Sequence, residues 1–134
     1  MNPELNVFLL FLSENGFPNA TKTPVINALL KYQNIQINYL NITQYAEGTP
    51  MEEWIKKDDL SRSNYQISHT SDVLRFLTLW KYGGTYLDLD VVVLKPVDTF
   101  PNYAGAESWE FVAVGIINMS PDGIGHDLVD MCVK

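Results

Sequence analysis

A single cysteine, Cys132, excludes a disulfide framework and a cysteine-built metal site. Long hydrophobic runs are also missing. The longest, Val7 to Leu12, falls far short of the roughly 20 residues that a membrane-spanning helix needs, and the opening "MNPEL" lacks the basic start of a signal peptide. Positive charge is scarce: 9 Lys and Arg against 16 Asp and Glu give a net charge of -7. That balance argues against a general nucleic-acid or anionic-membrane surface, while leaving room for a small basic site for a phosphate. There is no internal repeat and no low-complexity segment. What remains reads as globular, with 46% hydrophobic and 12% aromatic residues in 134, enough for one domain with one sizeable core.

Strand and helix signals alternate along the chain. Asn6 to Ser13 is a continuous apolar run of strand length, suited to a sheet covered on both faces. "ENGFPNA" follows as a loop, and Thr23-Pro24 opens a helix to about Tyr32. Ile35 to Ile42 alternates as a second strand. Thr49-Pro50-Met51-Glu52 has the form of a capping box before a short helix to about Lys57. A polar loop leads to a helix over Ser71 to Tyr82, with Val73, Leu74, Leu77 and Trp80 as its apolar positions and Gly83-Gly84 as its stop. A strand carrying two acids ends at Lys95-Pro96, Phe111 to Met119 forms another, and a helical pattern begins at Gly125. The order predicts an α/β fold with a mainly parallel sheet. The last helical pattern stops without a cap, as expected of a truncated piece of a longer catalytic domain. Sequons stand at Asn19, Asn41 and Asn118, the last made a poor acceptor by Pro121.

The chemistry centres on "WKYGGTYLDLDVVVL", Trp80 to Leu94. Asp88 and Asp90 stand one residue apart in a stretch that otherwise reads as a buried strand. An unpaired carboxylate in such a place costs several kcal/mol, so a cation is expected beside them. Strand alternation puts Tyr86, Asp88 and Asp90 on one face. Mg²⁺ or Mn²⁺ takes one or two protein carboxylates plus phosphate oxygens, so such an ion would both neutralise the pair and hold a diphosphate. On the preceding helix Asp72, Arg75 and Leu79 form one stripe. Asp72 and Arg75 can therefore face the same cleft, the guanidinium suited to a diphosphate and the carboxylate to sugar hydroxyls.

Plainer readings stand beside these. Asp88 and Asp90 suit a solvated edge strand, Arg75 suits a structural ion pair with Asp72 or Asp88, and Tyr86 suits strand packing. His69 is read as a neighbour of the helix start, His126 has no visible partner, and Trp54, Trp80 and Trp109 suit core or rim positions. A haloacid-dehalogenase-like phosphatase also uses Asp-x-Asp after a strand, but Gly83-Gly84 before the acids and Val91-Val92-Val93 after them depart from that pattern. A purely structural α/β domain predicts no response to metal.

Taken together, "SDVLRFLTLWKYGGTYLDLDVVVLKP", Ser71 to Pro96, closely resembles the DXD-containing sugar-binding region of the α1,4-galactosyltransferase and α1,4-N-acetylglucosaminyltransferase family, and most of all its lactosylceramide 4-alpha-galactosyltransferase group. The layout Ser-Asp-x-x-Arg, then Gly-Gly-x-Tyr-x-Asp-x-Asp, is similar to that of yeast mannosyltransferases and large clostridial glucosylating toxins. The resemblance is dense over residues 71–96 and weaker on either side. It implies that residues 1–134 are the donor-binding portion of one GT-A-type catalytic domain. It also implies a retaining hexosyltransferase that uses Mn²⁺ (or Mg²⁺) and moves galactose or an N-acetylhexosamine from a UDP-sugar to a glycolipid or glycan, forming an α1,4 linkage.

Carried across residue by residue, Asp90 would ligate the metal directly. Asp88 would contact ribose or sugar and reach the metal. Asp72 and Arg75 would hold the donor sugar, Arg75 near the phosphates, and Tyr86 would line the pocket. Asp88, Asp90 and Arg75 are thus the expected catalytic residues. No carboxylate is marked as a covalent nucleophile, which leaves front-face attack and double displacement both open. The resemblance further implies a type II membrane protein of the Golgi lumen whose anchor lies outside this chain. One departure is Val114-Gly115, where relatives often carry Asn-Gly. With the truncation, it feeds an alternative: a catalytically degenerate protein that binds a nucleotide sugar or carbohydrate without transferring it.

Overall fold

A computed structural model describes residues 5–12, 23–58, 60–97 and 99–134. The loop expected over Glu14 to Ala20, with the Asn19 sequon, lies outside the described residues. The chain divides into two compact units, residues 1–47 and 48–134.

In the first unit, strand β1 (Val7–Leu12), helix α1 (Pro24–Leu29) and strand β2 (Ile35–Leu40) follow the expected order. β1 and β2 pair in parallel, from Val7 opposite Ile35 to Leu12 opposite Leu40. Pro24 at the first position of α1 loses no helical hydrogen bond there and fixes the entry angle. Ile26, Ile35 and Ala46 are buried. A short helix α2 (Ile42–Tyr45), absent from the sequence reading, is capped by Asn41, whose Oδ1 accepts from the Gln44 N–H at 3.1 Å.

The second unit contains α3 (Glu52–Lys56), α4 (Gln66–Tyr82), β3 (Gly84–Leu87), β4 (Tyr103–Ala106), β5 (Val112–Met119) and α5 (Gly123–Val133). Its sheet has the order β3-β5-β4 and is antiparallel throughout. This corrects the expectation of a mainly parallel sheet: among the described residues only the two-stranded pair of the first unit is parallel. β4 was not expected, because "YAGA" lacks the β-branched residues that mark a strand. The capping box also forms differently. α3 starts after Met51, and Glu52 accepts the Gly48 N–H on Oε2 at 2.8 Å and Lys56 Nζ on Oε1 at 2.5 Å.

Leu79, Ile117, Val129 and Val133 form the core cluster where α4, β5 and α5 meet, with Phe76, Trp80, Tyr86 and Met119 packed against it. Along α4, Val73, Arg75, Leu77 and Leu79 are all buried. Positions two apart lie on opposite sides of a helix, so α4 is enclosed on more than one side, unlike the single apolar stripe read from sequence. Gly83 does more than stop it. Its φ is +61°, and a Cβ there would lie 2.6 Å from the Pro121 nitrogen and 2.8 Å from the Met119 oxygen. Only glycine lets the chain pass β5 this closely and enter β3 at once.

Candidate functional site

β3 is shorter than the sequence suggests. The Asp88 N–H still donates to the Gly115 carbonyl at 2.8 Å, extending the ladder by one bond, and then the Val91 N–H turns back to the Asp88 carbonyl at 3.1 Å. The strand therefore ends at Leu87. Asp88 is its last paired residue and Asp90 sits in the turn. Tyr86 and Asp88 share a face as expected, while Asp90 leaves the strand geometry altogether.

The cation beside Asp88 is Arg75. Its side chain is only 5% exposed, against 47% for Asp72 and 33% for Asp88. Nη1 donates to Asp72 Oδ1 at 2.6 Å, and Nη2 donates to Asp88 Oδ1 at 3.1 Å and to the Tyr86 hydroxyl at 3.4 Å. Tyr86 in turn donates to the same Asp88 Oδ1 at 2.6 Å. The guanidinium carbon lies 4.7 Å from the Tyr86 ring centroid, within cation–π range. Burial pushes the Arg75 pKa down, but the Tyr86 hydrogen bond and the Asp88 charge outweigh it, and the net shift is upward. Arg75 therefore stays charged at any working pH. Its Nε is buried without a hydrogen-bond partner, an orphan donor of the kind that costs about 1–3 kcal/mol.

Asp90 and Leu89 are exposed. From Val91 to Val97 the chain, with Lys95 among its mostly apolar side chains, lines an open groove of about 700 Å³ together with Thr99, Phe100, Tyr103 and Ile116. Among the described residues no group of three or more His, Cys, Asp or Glu could hold a metal ion. Asp88 and Asp90 offer at most two hard oxygen ligands, the number a Mg²⁺- or Mn²⁺-phosphate complex takes from protein.

Of the expected site residues, Asp72, Arg75, Tyr86 and Asp88 come together in one hydrogen-bonded group, and Asp90 lies two residues beyond it. His69 instead pairs its Nδ1 with the Ser63 hydroxyl at 2.7 Å. Asn118, the third sequon position, donates from Nδ2 to Thr85 Oγ1 at 2.6 Å inside the sheet. Gly115 enters the sequence reading only as half of the Val114-Gly115 departure, which does not reveal what it stands against. Extending the β3–β5 register places it opposite Asp88, and a Cβ there would sit 3.0 Å from Asp88 Oδ2. A lone glycine inside an apolar strand run was the available signal, since it often marks a close approach.

Comparison with known proteins bears on this group of residues. The chain is 32% identical to the rat (Rattus norvegicus) lactosylceramide 4-alpha-galactosyltransferase over 111 residues, 80% of this chain and 30% of that protein. It is 27% identical to the human alpha-1,4-N-acetylglucosaminyltransferase over 104 residues, 78% of this chain and 30% of that one. It thus spans about a third of the length of these relatives. No solved structure matches it. Residues 3–108 match the model of the glycosyltransferase sugar-binding region containing a DXD motif, and Asp88-Leu89-Asp90 supplies that motif; the chain belongs to this glycosyltransferase family.

Proposed function

We propose that the second unit carries the donor site of a retaining hexosyltransferase that takes galactose or an N-acetylhexosamine from a UDP-sugar, and that both units belong to the donor-binding part of one GT-A-type catalytic domain. One observation carries the reading: the first acid of the motif has one oxygen held by Arg75 and Tyr86 and its other facing a glycine, while the second acid is free and exposed. Asp88 and Asp90 would hold Mn²⁺ or Mg²⁺; their oxygen donors and the shortage of further protein ligands fit an ion that completes its shell with phosphate and water. When bound, the ion supplies Lewis-acid stabilisation of the charge on the departing UDP.

The protein's own residues do the rest. Arg75 and Tyr86 hold Asp88 in one orientation before ligand arrives, which removes a reorganisation cost from binding. Asp72, half exposed and tied to Arg75 through one oxygen only, has its second oxygen available to donor-sugar hydroxyls. With Nη1 and Nη2 engaged and Nε buried, what Arg75 would offer a donor diphosphate is its fixed positive charge. The relatives' names support a glycolipid or glycan acceptor and an α1,4 linkage, and a Golgi-lumen location rests on the family resemblance alone. Among the described residues no helix is long and apolar enough to cross a membrane.

The test is calorimetric titration of UDP into the folded chain with Mn²⁺ and again with EDTA. Binding that needs Mn²⁺ is expected. Equal binding in EDTA overturns the reading, as does absence of Mn²⁺-dependent binding both here and in a longer protein that contains this chain. Val114, at the position where relatives often carry Asn, favours the non-transferring alternative. Release of UDP from UDP-galactose, stimulated by an acceptor, by this chain or by a longer protein that contains it would exclude that alternative.

A further inference from the structure

We infer that Gly115 is a positioning residue: by lacking a side chain it keeps the second oxygen of Asp88 open to ligand. The inference rests on the donor-site reading above and deepens it. Asp88 has two oxygens in different situations. Oδ1 takes two donors, Arg75 Nη2 and the Tyr86 hydroxyl. Oδ2 faces the backbone of β5, where the three atoms nearest a Cβ at position 115 all belong to Asp88: Oδ2 at 3.0 Å, Cγ at 3.7 Å and Cβ at 3.9 Å. The first distance is closer than side chains ordinarily tolerate.

The carboxylate cannot simply swing away from an added methyl group. Its other oxygen is fixed by Arg75, which is buried and tied to Asp72 on its far side, and its main chain is pinned by the bond from Asp88 N–H to the Gly115 carbonyl. An alanine would therefore either rotate Asp88 off its donors or stand against Oδ2. Both outcomes remove a ligand oxygen without touching the core cluster, to which Gly115 does not belong. Glycine weakens a strand, so its presence in β5 works against stability, and clearance for Asp88 is what it supplies in return.

The experiment compares wild type, Gly115→Ala, Asp88→Asn, the double variant and Val114→Ala. Mn²⁺ affinity in the presence of UDP is read from the electron paramagnetic resonance signal of the free ion. Gly115→Ala is expected to weaken Mn²⁺ binding about tenfold while the variant still folds; Val114→Ala stays within about twofold of wild type. In the Asp88→Asn background the alanine adds no further loss, as a double-mutant cycle requires of two residues that act through one another. Undiminished affinity in Gly115→Ala, or an equal loss in both backgrounds, overturns the inference.

A metal-free readout separates this from failure of the donor-site reading. If wild type binds no Mn²⁺, that reading falls, and the carboxyl carbon resonance of Asp88 still decides the Gly115 contact: it shifts in Gly115→Ala, and no shift overturns the contact. Should Gly115→Ala fail to fold, the Asp88→Ala, Gly115→Ala double variant must be as stable as Asp88→Ala alone, and a further loss caused by the alanine there also overturns the inference.

Discussion

Asp88 and Asp90 are two residues apart and live in different surroundings. Asp88 closes a β-ladder and is held by a buried arginine and a tyrosine hydroxyl. Asp90 lies in an exposed turn beyond the end of the strand. A shared motif thus divides into one acid whose place is set by the fold and one that the fold leaves exposed. The difference shows how a protein keeps two like charges close at low cost: it neutralises one internally and leaves the other in water, where repulsion is screened.

The largest effect that would sharpen this contrast comes from removing the internal cation. Arg75→Met leaves Asp88, Asp72 and the Tyr86 hydroxyl without their common partner, and breaking a buried pair costs about 3 kcal/mol. Because both acids are partly exposed, water recovers some of that loss, and a fall in Tm of about 10 °C is expected in thermal denaturation. Arg75→Lys keeps the charge but cannot bridge two carboxylates as a planar fork does, so it should lose most Mn²⁺-dependent UDP binding as well. A lysine variant with wild-type Tm and wild-type binding would make the fork irrelevant.

Next in size is the comparison of the two acids themselves. Asp90→Asn is expected to leave Tm unchanged, a stability shift within about 0.5 kcal/mol as for exposed sites, while abolishing Mn²⁺-dependent UDP binding. Asp88→Asn should weaken that binding to a measurable remainder and, in addition, lose about 1–3 kcal/mol of stability, because it upsets the hydrogen bonds around Arg75. Calorimetry and thermal melts on the same samples check both. Equal stability losses from the two substitutions would erase the distinction.

A smaller effect belongs to Tyr86→Phe. It removes one of two donors to Asp88 Oδ1 and leaves the ring under the Arg75 guanidinium, so a loss of about 1 kcal/mol in chemical denaturation is expected, with a threefold to tenfold weaker Mn²⁺ affinity. A change as large as that of Arg75→Met would mean that the hydroxyl, not the guanidinium, organises the site.

Much of this was legible in the sequence, and the rest has physical reasons for being hidden. β1, α1 and β2 follow from local signals: an apolar run, a Thr-Pro start and an alternating β-branched stretch. The helix stop at Gly83-Gly84 and the grouping of Asp72, Arg75, Tyr86 and Asp88 were readable from spacing. The direction of the second sheet was not, because β3 pairs with a strand some 30 residues later, and strand polarity depends on how the intervening chain travels. The end of β3 was hidden because Val91, Val92 and Val93 have the composition of a strand but line a groove instead. Arg75 was read on a cleft-facing stripe; its burial arises from the enclosure of α4 on several sides, a tertiary fact.

A third carboxylate on the same unit completes the series and gives the smallest effect. Asp130 is engaged on both oxygens, Oδ1 by the Trp80 indole N–H at 2.9 Å and Oδ2 by Lys134 Nζ. The Lys134 hydrogen bond, followed by that from Trp80, holds its pKa below the ordinary aspartate value against the upward push of desolvation, with further help from the Lys134 and His126 charges. A depressed folded-state pKa means that the stabilisation is fully present above the unfolded value and is lost as pH falls through the folded one. The Trp80 indole N–H resonance should therefore stay constant down to about pH 4 and move only below it. Lys134→Ala should raise that midpoint toward the ordinary value, and Asp130→Asn should flatten the response. A midpoint at or above the ordinary aspartate value would show that engaging both oxygens does not hold this acid ionised, and the ordering of the three carboxylates by the partners they keep would fail at its best-paired member.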